Sequence, residues 1–284
     1  MSEYQNVKVS PLQFPQLQYC FAHQQVYRQP EDIMSEKPHI HDSLEIYINI
    51  SGDASFLVNN HLYPVRKGDA VVTRPGDVHI CVCNKAQMHE NFCFWISCPP
   101  DSPLLAFAAG EKFHNHYRFN EQTRQELLDI LYKLRDAEYS GSEPARICNI
   151  FRLLTVFAET EKKEIQEKPA LPDTMQQVLN QIHSDFLDIH NVNDIADRTH
   201  VSVSTLNRWF RNQLQLSPHK YVEALKLAYA QKLLLDGWSV TETCYQSGFS
   251  DCSRFIAVFR EKFGQTPLQY QKSRNTQYGG GEEK

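Results

Sequence analysis

The sequence predicts a protein of two domains: an all-β barrel, then a helical connector, then an all-α domain at the C-terminal end. Length supports two domains, since 284 residues correspond to about two domains of average size. Short apolar runs separated by turn signals fill the first hundred residues, whereas apolar residues recur at helical spacing after Pro99 and Pro100. No stretch of about 18 apolar residues occurs, which argues against a transmembrane helix.

Residues 1–100 are predicted to form the barrel, because turn signals recur there at intervals of about 8–12 residues. These signals are Ser51-Gly52-Asp53, Asn59-Asn60, Lys67-Gly68-Asp69 and Arg74-Pro75-Gly76-Asp77. The runs between them are rich in β-branched and aromatic residues. They predict strands over 44–50, 55–58 and 70–73, and the later run 91–97 is also strand-like.

Residues 101–172 are predicted to form a helical connector and a linker. Apolar residues at helical spacing predict helices over 121–139 and 144–167, and the charged stretch 161–172 with its two prolines is the predicted linker. The second of these helices has an apolar stripe, formed by Ile147, Ile150, Phe151, Leu154, Phe157 and Ala158. The stripe either pairs with its copy in a homodimer or packs inside the same chain, and the pattern leaves both open.

Capping residues mark helix ends throughout residues 173–274, which predicts an all-helical domain. Asp173 is a predicted N-cap, Ser217 precedes a proline suited to a first helical turn, and Ser239 forms a capping box with Glu242. The last residues, 275–284, are predicted to be a flexible tail.

Two helix-turn-helix units are predicted within this domain. The first spans Val192–Phe210, with a turn at His200 and with Ser202 capping its second helix. The same layout recurs 48 residues later, where Gly248 and Ser250 take the places of His200 and Ser202. One such pattern occurs in many helical hairpins, but two in tandem are specific.

The helix predicted between the two units, over 218–236, is about 28 Å long. Major-groove faces that follow one another on one side of a duplex are about 34 Å apart. A rigid spacer of this length therefore suits two helices that enter successive major grooves of double-stranded DNA.

The segment from Val192 to Tyr270 closely resembles the double helix-turn-helix domain of the AraC/XylS transcription regulators. The resemblance is most specific at Gly248-Phe249-Ser250-Asp251 and at Phe263-Gly264-x-Thr266-Pro267-x-x-Tyr270. It implies that the second helix of each unit faces DNA. The residues so implied are Ser204, Thr205, Asn207, Arg208 and Arg211 in the first unit, and Cys252, Ser253, Arg254 and Ala257 in the second.

The chemistry of these side chains agrees with the resemblance. Arg208 can bind guanine O6 and N7, and Asn207 can bind adenine N6 and N7. Ala257 stands where such regulators often have a polar or basic residue. This departure predicts that the second helix mainly holds phosphates, through Arg254 and Arg260.

The first domain has a histidine pattern of its own. His39-x-His41-x3-Glu45, followed by Gly76-x-x-His79, resembles the two motifs of a cupin barrel. In a chain with this DNA-binding pattern, the resemblance implies a sensor for a small-molecule effector, with a carbohydrate as one candidate. The predicted pocket residues are Arg28, His39, His41, Glu45, His79 and Trp95.

Two alternatives stay open for the barrel. The imidazoles of His39, His41 and His79 and the carboxylate of Glu45 are suited to a divalent transition metal, which would fit a metal-dependent cupin enzyme. Thiols form the second alternative, because Cys81, Cys83 and Cys93 could sense metal or oxidant if they converge. The resemblance favours a sensor that has no cofactor and no enzymatic activity.

Composition sets the expected location and DNA-binding mode. Eight scattered cysteines without a C-x-x-C pair, and a start that lacks a secretory signal, favour a reducing cytoplasm. The net charge of −5 resides in the first part of the chain, since residues 1–172 contain 17 Lys and Arg against 22 Asp and Glu. Residues 173–274 contain 11 and 10, so we expect modest non-specific affinity for DNA.

Overall fold

The computed structural model describes residues 17–28, 38–40, 43–83, 85–99, 102–109, 113–160 and 171–278. Its strands are β1 (Gln18–Arg28), β2 (Leu44–Ser51), β3 (Ala54–Val58), β4 (His61–Val65), β5 (Ala70–Thr73), β6 (His79–Val82), β7 (Gln87–Ser97) and β8 (His116–Tyr117). Its helices are α1 (Glu121–Ser140), α2 (Glu143–Glu159), α3 (Asp173–Asp185), α4 (Val192–Thr199), α5 (Val203–Leu214), α6 (Pro218–Leu235), α7 (Val240–Gln246), α8 (Cys252–Phe263) and α9 (Pro267–Tyr278).

The strands form two antiparallel sheets that face each other. One sheet has the order β1-β7-β2-β5-β8 and the other has the order β4-β3-β6. Tyr47 of β2 packs against Phe56 and Val58 of β3 in the space between the sheets, and the two-residue period of β2 sends Ile46 and Ile48 to the opposite face. The all-β architecture that the turn signals predict for the N-terminal domain is confirmed.

The second face of the five-stranded sheet is covered by α1 and α2. Ile46 and Ile48 share one apolar cluster with Leu127 and Leu131 of α1 and with Ile150, Leu154 and Phe157 of α2. The apolar stripe of α2 therefore packs mainly inside the chain, while Ile147 at its edge remains 42 % exposed. The sheet also continues past residue 100, because β8 pairs with β5.

The outer face of the three-stranded sheet packs against the helical domain. Buried side chains of both parts form one apolar cluster, which we call the inter-domain cluster. It includes Leu57, Leu62, Ile80 and Val82 from the sheet, and Leu171, Met175, Val178, Leu179 and Ile182 from α3 and the residues before it. Of the predicted linker 161–172, residues 161–170 lie outside the described residues, and Leu171 is buried.

Most of the predicted helix ends agree with the structure. Ser217 caps α6, and Ser239 forms the predicted capping box with Glu242 at α7. The prediction that Asp173 caps α3 is wrong, since Pro172 occupies the N-cap position and makes no side-chain cap hydrogen bond. The predicted helix over 144–167 begins at Glu143 and ends at Glu159. None of the helices in the described ranges combines the length and the apolar composition of a membrane span.

Candidate nucleic-acid interface and barrel pocket

The first helix-turn-helix unit is formed by α4 and α5. Asn191 caps α4, and His200 has the left-handed backbone that the turn needs, with φ of 55°. The Oγ atom of Ser202 accepts a hydrogen bond of 3.2 Å from the Thr205 amide, which fixes the start of α5. Leu206 and Phe210 are fully buried on the inner side of α5, so its orientation is set by packing.

The outer side of α5 carries the predicted DNA-contacting residues. Ser204, Asn207, Arg208 and Arg211 are exposed, and Thr205 is half-buried beside the cap. In the part of the chain that the structure describes, Arg208 and Arg211 form no ion pair. The two guanidinium groups are therefore available for a ligand.

The second unit is formed by α7 and α8. More of its candidate side chains already contact other parts of the protein than in the first unit. Asp251 caps α8 by accepting hydrogen bonds from the amides of Ser253 and Arg254, at 2.8 and 3.3 Å. The Arg254 guanidinium also reaches Glu223 of α6 at 3.4 Å. Cys252 is half-buried against the apolar cluster around Phe255, whereas the predicted positions Ser253, Ala257 and Arg260 are exposed.

Glu45 is the centre of a buried polar group between the two sheets. One oxygen of its carboxylate accepts hydrogen bonds from His79 Nε2 at 3.1 Å and from Trp95 Nε1 at 3.0 Å. The thiol of Cys93 lies 3.8 Å from the other oxygen. The structure thus brings three of the predicted pocket residues into direct contact.

Both ring nitrogens of His79 face oxygen acceptors. Its Nδ1 lies 2.9 Å from the carbonyl oxygen of Asp77, and its Nε2 faces Glu45. Burial alone would lower the pKa of His79, but the Glu45 carboxylate and the Asp77 carbonyl outweigh burial and raise it. The imidazolium form satisfies both contacts at once.

His39 completes this group from a separate segment. His39 and His79 exchange backbone hydrogen bonds of 3.1 and 3.0 Å, and their rings lie 4.3 Å apart. Ligand atoms of His39, Glu45 and His79 all lie within 4.8 Å of one another. His41 and the side chain of Arg28 lie outside the described residues.

These three side chains fit a divalent metal. The Asp77 carbonyl holds the Nδ1–H of His79, which is the usual arrangement of a histidine that binds metal through Nε2. Two imidazoles and a carboxylate are common ligands of zinc, iron and manganese.

Sequence reasoning missed a second polar group in the same space. The Tyr47 hydroxyl lies 2.8 Å from Nε2 of His89 and 4.0 Å from the Cys81 thiol. Burial, and then the neighbouring thiols of Cys81, Cys93 and Cys83, raise the pKa of Tyr47. The two-residue period of β2 is a usable signal here, because it places Tyr47 on the same side as Glu45.

Two helix-turn-helix units in the C-terminal domain, and a buried polar site in a separate sheet domain, define a transcription regulator with a ligand-binding domain. Residues 195–273 match the family model described as a helix-turn-helix domain, and residues 26–154 match the one described as an AraC-like ligand binding domain. The chain belongs to the AraC family of transcription regulators. This confirms the predicted resemblance and the predicted order of the two domains.

One relative and two solved structures illustrate the similarity. The HTH-type transcriptional activator RhaS of Escherichia coli (strain SMS-3-5 / SECEC) is 26 % identical over 249 residues, which cover 84 % of this chain and 88 % of RhaS. The structure of ToxT from Vibrio cholerae covers 90 % of this chain and 97 % of its own, with 14 % identity and a TM-score of 0.38. The DNA-binding domain of AdpA, solved with a target DNA, covers 39 % of this chain and 100 % of its own, with 23 % identity and a TM-score of 0.36.

Proposed function

We propose that this regulator reads a bipartite DNA site with α5 and α8 and that a small organic effector, bound at Glu45, controls this binding. The observation that carries the DNA part is the outer face of α5, where Asn207, Arg208 and Arg211 are exposed on a helix whose opposite side is fully buried. A helix that is fixed by its core and presents Arg and Asn outward is suited to base contacts in a major groove.

The two helices have different proposed roles. On α5, Arg208 and Asn207 contact bases, while Ser204, Thr205 and Arg211 contact phosphates or neighbouring bases. On α8, the exposed Ser253, Arg254 and Arg260 hold phosphates, and Cys252 contributes only at its half-exposed edge. Helix α6, of 18 residues, spans about 27 Å between them, which suits successive grooves.

The barrel site favours a ligand that donates hydrogen bonds. Its centre is the carboxylate of Glu45, which only accepts when ionised, and Trp95 and His39 offer aromatic surface beside it. Hydroxyl groups of a carbohydrate match this combination of an acceptor and a flat ring. A carboxylate ligand would offer the Glu45 carboxylate no donor, whereas a hydroxyl group does.

Binding at Glu45 would reach the DNA-binding half through the three-stranded sheet. Along β6, His79 and Cys81 face the polar site, whereas Ile80 and Val82 face the inter-domain cluster. A ligand that shifts β6 therefore changes the surface on which α3 packs. An effector that binds one such arrangement better than another shifts the equilibrium between them.

The proposal includes four finer points. The protein acts as an activator, as the name of its relative RhaS suggests, and it has no catalytic role. It acts in the cytoplasm, where its DNA target and a reducing medium for eight cysteines without disulfides are found.

It forms a homodimer through the exposed edge of the α1–α2 hairpin, near Tyr139 and Ile147. Sedimentation of the full chain would test this.

The DNA part is tested with a duplex selected from a random-sequence library by the full-length protein. Arg208→Ala should weaken binding by about 1–3 kcal/mol, because a bidentate base contact is lost. The matched control is Arg135→Ala, which removes a partly exposed arginine of α1 and should bind like the wild type. Equal affinity of Arg208→Ala and the wild type for the selected duplex would refute the assignment.

The effector part is tested by thermal shift of the full chain with a panel of mono- and disaccharides. A ligand at a hundred times its dissociation constant stabilises by about 2.7 kcal/mol, which is easily seen as a higher Tm. The shift should vanish in Glu45→Gln and persist in Glu90→Gln, whose carboxylate binds His23 and Tyr132 instead. A shift that Glu45→Gln retains would place the ligand elsewhere.

A metal sensor is the second candidate function. The convergence of His39, Glu45 and His79 favours it, since their ligand atoms lie within 4.8 Å of one another. When bound, a divalent ion would supply a charged centre that draws these three side chains together. Metal analysis of the purified protein decides between the candidates: a stoichiometric ion that is lost in His79→Ala supports the metal sensor, and its absence supports the organic effector.

A further inference from the structure

A buried lysine lies between the two helix-turn-helix units. Lys226 is in the middle of α6, the helix that joins the units, and only 6 % of it is exposed. Its ammonium group donates to the carbonyl oxygen of Ile189 at 2.7 Å and to that of Gly248 at 2.8 Å. Ile189 lies just before the N-cap segment of α4 in the first unit, and Gly248 lies in the turn of the second. One cation thus joins the backbone that leads into the first unit to the turn of the second.

The same two backbone segments also touch directly. Gly248 has φ of +79°, and a Cβ atom at this position would lie 2.4 Å from the carbonyl oxygen of Leu187. Only glycine allows this approach, because any side chain would force the segments apart. We call Leu187, Ile189, Lys226 and Gly248 the inter-unit joint.

A lysine is a costly residue for this place. Burial lowers the pKa of Lys226, and the more distant charges of Asp188 and Asp194 oppose that effect. An apolar side chain of similar length would avoid the desolvation of an ammonium group. The lysine contributes directional hydrogen bonds, which fix the positions of two carbonyl oxygens relative to α6.

From this geometry we infer that Lys226 is a positioning residue for DNA binding, which fixes the orientation of α8 relative to α5. The inference rests on the proposed function, in which both helices contact one duplex. Inserting one base pair between the two DNA stretches that the helices contact moves these stretches apart by about 3.4 Å. It also rotates one relative to the other by about 35° around the duplex axis. A rigid joint makes binding sensitive to this insertion, whereas a loosened joint lets the units adjust.

The experiment first locates the two protected stretches of the selected duplex by footprinting. It then measures the affinity of the full chain for this duplex and for the same duplex with one base pair inserted between the two stretches. The wild type should lose about tenfold or more on insertion, the cost of about one lost base contact. Lys226→Met should bind the original duplex more weakly and lose no more than about threefold on insertion. Lys232→Met, which removes an exposed lysine of α6, should behave like the wild type.

Folding of each variant is checked by circular dichroism, and Lys226→Gln takes the place of Lys226→Met if the latter does not fold. A wild type that tolerates the insertion would overturn the inference while both helices still contact DNA. An equal insertion penalty in Lys226→Met and the wild type would overturn it too. A footprint of one element only would refute the proposed role of α8 and, with it, any need to position that helix.

Discussion

Two polar side chains, His183 and Tyr221, meet inside the helical domain. Nε2 of His183 lies 2.8 Å from the Tyr221 hydroxyl, and Tyr221 is fully buried. Burial lowers the pKa of His183 to about 4. It also raises the pKa of Tyr221. Both groups therefore stay neutral near neutral pH, and the folded domain resists protonation of the imidazole.

This pair predicts a loss of stability in mild acid. Unfolded His183 takes up a proton below about pH 6.5, whereas the folded form does so only near pH 4, so falling pH favours the unfolded state in this window. The unfolding free energy should drop by about 2–3 kcal/mol between about pH 7 and about pH 4.5. Urea unfolding of the wild type and of His183→Gln measures this, and the variant should lose that part of the pH dependence. The same dependence in both would contradict the prediction.

Single residues could be predicted from the sequence where their role is local. The outward positions of Asn207 and Arg208 follow from the helical period, because Leu206 and Phe210 fix the inner side. Lys226 and His183 could not be predicted in this way. Their partners are 22 to 38 residues away along the chain, and only the packing of the helices brings them together.

At the scale of elements, α7 depends most on its cap, since it has only seven residues. Ser239 Oγ accepts from the Glu242 amide at 3.2 Å, and the Glu242 carboxylate accepts from the Ser239 amide at 3.2 Å. An isolated helix of this length is unstable in water, so the capping box and the buried Cys244 hold it in place.

Removing this cap should weaken the second unit. Ser239→Ala is expected to lower the unfolding free energy by about 1 kcal/mol, within the range of about 0.5–2 kcal/mol for lost N-caps. Thr241→Ala, at an exposed position of the same helix, is the control and should stay within about 0.5 kcal/mol of the wild type. Chemical denaturation compares the two, and equal losses would mean that the cap contributes nothing special.

Elements with local signals were predictable, and those defined by distant pairing were not. Turn signals predict the core strands β2, β3 and β5 closely, since their ends are set by the chain itself. Strand β8 has two residues, and it exists because His116 and Tyr117 pair with the distant residues Val71 and Ala70 of β5. The polar site follows the same rule, because Glu45 meets Trp95 only when β2 pairs with β7, and it meets His79 only when the sheet that contains β6 packs against the first sheet.

At the scale of the whole molecule, the inter-domain cluster joins the sensor and the DNA-binding half. Residues 57 and 80 look like members of ordinary buried strands, and a continuous apolar run does not say what covers each face. The sequence predicts a linker between the halves, but it contains no signal that α3 packs on the sheet. This contact became visible only in the structure.

The inter-domain cluster predicts that a core substitution in the three-stranded sheet destabilises α3. Ile80→Ala should cost about 2–5 kcal/mol and speed hydrogen exchange of the α3 amides by about tenfold or more. Ile46→Ala is the matched control, because Ile46 is equally buried but faces α1 and α2. It should speed exchange in the five-stranded sheet with a much smaller effect on α3. Equal effects on α3 would mean that the cluster does not link the two halves.

The inter-domain cluster also determines how a truncated fragment of the protein should behave. A fragment that starts at Asp173 would leave bare the helical surface that covers Ile80 and Val82 in the full chain. Exposed apolar patches of this kind drive self-association. The isolated DNA-binding half is thus expected to self-associate in solution, unlike the intact regulator. Replacing the uncovered apolar side chains with polar ones should prevent this.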